Sequence, residues 1–210
     1  LAGRTIPASI LTVLVLFLCG AVILLRRTVN IPHLASRENL HFFFLGAGFL
    51  LLETRGVTEL SLLFGSTWVV NAVVIGAFLV MAILANTLVM FLPVSRRVAY
   101  AALFALVGLG MLFPYARLDA LPMAAKALAA GTIVGLPVFF SGLIFSRGFR
   151  DVAEPSPALG VNLLGAVVGG TLENTVMLAG TLSLGALALL LYGASALLAG
   201  AGVSRRVTAD

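Results

Sequence analysis

Charge is what this sequence has least of. Only 10% of its residues are Asp, Glu, Lys or Arg, where soluble domains run nearer a quarter. With 61% hydrophobic residues among 210 and a mean hydropathy of +1.15, a water-surrounded fold could not hide its apolar surface, so the solvent is expected to be partly lipid. Cysteine is nearly missing too. Cys19 stands alone inside an apolar run, which excludes an internal disulfide and argues against a thiol site. The two histidines, His33 and His41, lie far from any Cys or acid at metal-ligand spacing, so no metal centre is expected, and His41 reads as a helix end. A net charge of +5 comes without a basic stripe interleaved with aromatics, so nucleic acid is not an expected partner. The first apolar run lacks a small-residue cleavage site behind it, so no signal peptide is read, and a start at Leu1 rather than Met suggests a fragment or a processed piece.

What is abundant is apolar sequence in lengths that fit a bilayer. A span takes roughly 20 residues. The chain offers about seven, near 6–25, 41–64, 68–92, 98–115, 121–146, 157–180 and 183–203. The expectation is an all-α integral membrane protein, a single domain with about seven transmembrane helices. The stretch 26–40 is the longest polar linker and is too short for a second domain. Gly180 marks a turn between the last two spans, and Pro137 a kink in the fifth. Gly165, Gly169 and Gly170 give the sixth span a small-residue face of the kind that lets helix backbones approach closely. With this topology, one side receives Arg26, Arg27 and Arg37, Arg96 and Arg97, Arg147 and Arg150, and Arg205 and Arg206. The other receives Arg4, Arg117 and Lys126. Basic loops stay in the cytoplasm, which puts the N-terminus outside and the C-terminus inside. Trp68 and Tyr115 then fall at outer span ends, as interfacial aromatics do.

The second span, HFFFLGAGFLLLETRGVTELSLLFG (41–65), carries the one serious contradiction. Gly46-Ala47-Gly48 resembles the start of a dinucleotide-binding turn, but the third glycine position is Leu51 and no polar residue interrupts 42–52. A helix is the better reading. It must then accommodate Glu53, Arg55 and Glu59, and an ionised side chain at the bilayer centre costs on the order of 3 kcal/mol. Arg55 and Glu59, four apart, share a helix face and read as a structural ion pair. Glu53 lies on another face and needs a different partner. Glu173 and Asn174 occupy the sixth span, which repeats the Leu-Gly-Ala of 45–47 at 164–166, a weak sign of internal duplication. Glu53 and Glu173 are therefore the candidate proton or cation sites, with Asn174 and Asn71 as accessory polar groups. Asn86 and Asn162 read as interhelical hydrogen bonders.

Three long motifs, HFFFLGAGFLLLETRGVTELSLLFGSTWVVNAVV (41–74), PVFFSGLIFSRGFR (137–150) and ALGVNLLGAVVGGTLENTVM (158–177), occur in that order. In them the chain resembles the membrane part of bacterial fused major-facilitator-like/spermidine synthase-like multi-span proteins. The resemblance covers nearly the whole chain, and LAGRTIP (1–7) looks like the join that follows the synthase-like domain. It implies a membrane domain in a bacterial inner membrane, with a synthase-like domain upstream in the same polypeptide. It also implies that aminopropyl transfer, with its decarboxylated S-adenosylmethionine-type cofactor, belongs to that separate domain. No catalytic residue carries over to these 210 residues, and no cofactor is expected in them. The functions implied are anchoring and serving the synthase-like domain, with a cationic, polyamine-like ligand at the acidic residues. The alternatives are a transporter using Glu53 and Glu173, or a purely structural anchor.

Overall fold

The computed structural model describes residues 36–65, 67–91 and 94–200, together with Thr12, Val15, Leu16, Cys19, Gly20 and Ile23. The expected span at 6–25, most of the linker 26–40, His33 and the basic pair Arg205-Arg206 lie largely or wholly outside the described residues. Among the described residues the fold is all-α: α1 (Arg37–Phe64), α2 (Trp68–Phe91), α3 (Arg96–Leu112), α4 (Met123–Asp151), α5 (Pro155–Leu172), α6 (Val176–Ala179) and α7 (Thr181–Gly200), with 3-10 turns at Tyr115–Ala120 and Glu173–Thr175. Among the described residues five stretches are long and apolar enough, by length and composition, to cross a membrane, namely α1, α2, α4, Pro155–Thr175 and Thr181–Ala199.

Several boundaries differ from the sequence reading, each for a local reason. α1 begins at Arg37, inside the expected linker, because Ser36 caps it: the Asn39 amide donates to the Ser36 hydroxyl at 3.1 Å. The charged first turn therefore belongs to the helix. His41 is not a helix end but a buried residue of α1, with Nδ1 2.7 Å from the Ser195 hydroxyl of α7. α3 stops at Leu112 rather than 115, since Pro114 holds Phe113 extended (φ −72°, ψ 124°). α4 runs past 146 to Asp151, so Arg147 and Arg150 sit on its last turns, donating to the Val94 and Val89 carbonyls instead of lying in a loop. The sixth span is not one helix. α5 ends at Leu172 and Gly180, at φ 78°, separates the short α6 from α7.

The chain divides into two compact units, 1–51 with 152–210, and 52–151. In the first, α5 packs on the first half of α1. A Cβ on Gly165 would strike the Phe43 carbonyl, and one on Gly169 would lie 2.5 Å from the Ala47 carbonyl oxygen. A Cβ on Gly46 would in turn meet the Asn162 carbonyl, and Asn162 Nδ2 donates to the Phe42 carbonyl at 2.9 Å. Contacts advance together along both helices, so α1 and α5 are parallel. The glycines permit backbone-to-backbone approach, as the small-residue face implied. α7 runs the opposite way, with Tyr192 against Gly48 and Ser195 against His41.

In the second unit α2 and α4 are parallel: Gly131 faces Val73, Gly135 faces Met81, Gly142 faces Ala85, and Ser146 donates to Asn86. The second half of α1 opposes α4, since Gly56 meets Val134 while the Phe64 ring lies under the Lys126 ammonium. A parallel α2 and α4 leave one possibility for α3. It must return the chain from the end of α2 to the start of α4, antiparallel to both. Its 17 residues cover about 25 Å.

Candidate functional site

The second unit holds a buried arginine, Arg55, and a proline explains its setting. A helical carbonyl accepts from the amide four residues on. The Gly110 carbonyl would need the amide of residue 114, which is Pro114 and has none. Arg55 replaces it: Nη2 donates to the Gly110 carbonyl oxygen at 2.7 Å, placing a cation at the C-terminal end of α3, where the helix dipole favours one. The same deletion recurs in α4, where Pro137 offers no donor to the Ile133 carbonyl.

Arg55 is buried, only 7% exposed, and its Nε is a buried donor without a hydrogen-bond partner. Glu59, one turn on, puts Oε1 3.9 Å from Arg55 Nη2, an ion pair too long to be a hydrogen bond. Around them lies a pocket lined by Arg55, Glu59, Gly110, Tyr115, Ile133 and Pro137, closed on its other walls by Leu52, Gly56, Leu106 and Val134. The space amounts to about 280 Å³, its solvent-facing part included, and the enclosed portion has room for about one water molecule. Arg55 Nε is thus an unpartnered donor buried beside a small pocket that also holds Glu59 and has mostly apolar walls.

The sequence-derived candidates fall elsewhere. Glu53 is partly exposed on α1 and does not line this pocket. It belongs to the unit 52–151, whereas Glu173 belongs to the other. Glu173 and Asn174 form a 3-10 turn beyond the end of α5, and Asn174 Nδ2 donates to the Thr171 carbonyl at 3.1 Å. Thr171 in turn donates to the Val168 carbonyl, so local side-chain bonds take over as the regular ladder ends. Asn71 is exposed in the first turn of α2. Arg55 and Glu59, read from the sequence as a structural ion pair, do face each other at 3.9 Å, and both line the pocket. Tyr115, read as an interfacial aromatic, is buried at 8% exposure in the same pocket. The sequence carries one part of the signal: Pro114 leaves the Gly110 carbonyl without its helical donor. Among the described residues no three His, Cys, Asp or Glu side chains gather where they could hold a metal ion. Comparison of the chain with family models, with curated proteins and with solved structures finds no match.

Proposed function

We propose that this chain is the integral membrane domain of a synthase-like fusion protein, crossing a bacterial inner membrane about seven times. Its N-terminus is outside and its C-terminus inside, and it anchors a catalytic domain encoded upstream. The observation that carries the membrane reading is its inverted polarity. Arg55 is 7% exposed while Leu128 is 74% and Leu197 80% exposed, on helices of membrane length. In water that distribution would leave large leucine surfaces hydrated at a cost; in lipid it is the favourable one. The alternating helix directions within each unit support α3 as a further crossing beside the five longer stretches. The cluster of Arg96, Arg97, Arg147 and Arg150 at one end of the second unit supports a cytoplasmic assignment for that end. The anchoring role rests on the motif resemblance. Two measurements test the proposal: retention of the protein in membranes after alkaline carbonate washing, and the reading frame upstream of Leu1. Release by carbonate refutes the membrane domain, and a frame without a synthase-like domain refutes the anchoring role.

A second reading, a solute-binding or transporting module, is favoured by the Arg55 pocket, because a pure anchor has no need of a buried cation with an unpaired donor. The carboxylates Glu53 and Glu173 remain the cation or proton sites of the polyamine version of that reading, tested by polyamine uptake in Glu53→Gln and Glu173→Gln variants.

A further inference from the structure

We propose that the basic end of the second unit binds an anionic phospholipid, its phosphate diester among Arg96, Arg97, Arg147 and Arg150 and its acyl chains along the apolar side chains beside them. The proposal rests on the membrane reading above. Two hydrogen bonds bring the arginines to one place. Arg147, on the last turns of α4, donates to the Val94 carbonyl. Arg150 Nη2 donates at 3.0 Å to the Val89 carbonyl, in the last turn of α2. Three apart on a helix, Arg147 and Arg150 are neighbours. Val94 precedes Arg96 by two residues, at most about 7 Å of chain. Behind the Ser95 cap, α3 then opens with Arg96 and Arg97.

This end gathers more positive charge than the unit balances. No acid stands in the first turn of α3, so its two arginines lie at the positive end of the helix dipole, where cations are disfavoured. Among the described residues Arg97, Arg147 and Arg150 enter no ion pair. Asp151, at the end of α4, is the acid of this unit nearest to them in sequence, and four arginines against one aspartate leave +3. Arg147 and Arg150 each engage one carbonyl, whereas a guanidinium carries five donors in a fork that matches a phosphate. The neighbouring side chains select the kind of anion. Met90 and Phe91, ending α2, are 71% and 74% exposed, and Val98, in the first turn of α3, is 58% exposed. A soluble phosphate or an acidic peptide answers the charge and leaves these apolar groups uncovered. An anionic phospholipid meets both, as headgroups do in basic pockets between membrane helices. A zwitterionic phospholipid brings a cation of its own into an already positive site and binds less well.

The test uses the full chain in detergent micelles, with bound molecules counted by native mass spectrometry. Four probes are titrated: phosphatidylglycerol, phosphatidylcholine, glycerol 1-phosphate (the headgroup phosphate without acyl chains) and oligoglutamate. Phosphatidylglycerol is expected to bind at least about tenfold more tightly than each of the others. Arg147 and Arg150 also hold the end of α2, so the informative variant is Arg97→Gln, which breaks no hydrogen bond among the described residues. It should weaken phosphatidylglycerol about fivefold. Arg117→Gln removes the same charge from the turn Tyr115–Ala120, at the far end of α3, and should leave the affinity unchanged. Equal binding of the two lipids, glycerol 1-phosphate or oligoglutamate binding as tightly as phosphatidylglycerol, an unchanged affinity in Arg97→Gln, or an equal loss in Arg117→Gln overturns the proposal. A protein that survives carbonate washing in the membrane yet shows no preference for phosphatidylglycerol refutes this proposal alone; one that washes off refutes the membrane reading.

Discussion

Replacing Gly169 with alanine adds a single methyl group to α5, and the structure says where it lands. The new Cβ would sit 2.5 Å from the Ala47 carbonyl oxygen, with Ala47 Cα at 3.0 Å and its carbonyl carbon at 3.1 Å. An ordinary carbon-to-oxygen approach is about 3.3 Å, so the overlap is about 0.8 Å. All three atoms are backbone atoms of α1, which no rotamer change can move. The two helices must separate, and that loosens the neighbouring approaches at Gly165 and Gly46 as well. Overpacking of this kind costs about 1–3 kcal/mol. Alanine also favours a helix over glycine by about 1 kcal/mol, which partly masks the clash, so the experiment needs an internal reference. Gly160 provides one. It lies in the same helix, and a Cβ there meets no described atom within 4 Å. Gly160→Ala keeps the propensity gain without the collision. Reversible unfolding in mixed detergent micelles should place Gly169→Ala below Gly160→Ala by about 1–3 kcal/mol. Equal stabilities, or the reverse order, would mean that α1 and α5 do not pack backbone to backbone, and the parallel arrangement derived from that packing would fall with it.

Other substitutions probe the polar groups. Arg55→Met removes both the α3 cap and the partner of Glu59, and should cost about 3 kcal/mol in the same unfolding assay. Adding Glu59→Gln to Arg55→Met should recover part of that loss, because the remaining charge is then gone; a double variant less stable than Arg55→Met would contradict the pairing. Asn162→Ala deletes the hydrogen bond to the Phe42 carbonyl and should cost about 1 kcal/mol. No loss there would indicate that the Asn162 side chain faces something other than α1.

The sequence made some features legible because they are written in single residues. Gly180 could be read as a turn because only a residue without a side chain adopts its φ of 78° cheaply. The Gly165 and Gly169 face was legible because helix association in an apolar solvent depends on small residues. Helix ends were harder. A hydrophobic run measures where side chains leave lipid, not where the backbone stops being helical. Arg37 and Glu38, and likewise Arg147 and Arg150, are charged and still helical, since a serine cap or a carbonyl acceptor at the end of a neighbouring helix holds them. Proline cut the other way. Pro114 ended α3 within what hydropathy counted as a span. The pocket was the least legible feature. The spacing of Arg55 and Glu59 showed that they share a face, but not that the arginine would be claimed by the Gly110 carbonyl, 55 residues on. That partnership depends on which helix end comes to lie beside α1, and no local pattern encodes it.

The direction of α3 is the most exposed point of the account, because α3 falls short of the longer stretches and yet must cross for the alternation to hold. Single cysteines can be placed at Thr67, Ser95, Ala120 and Ala153, all exposed in the connections between helices, in a Cys19→Ser background. They can then be labelled in intact cells with a membrane-impermeant maleimide. Labelling is expected at Thr67 and Ala120 from outside, and at Ser95 and Ala153 only after the membrane is opened. Labelling of Ser95 and Ala120 from the same side would contradict it.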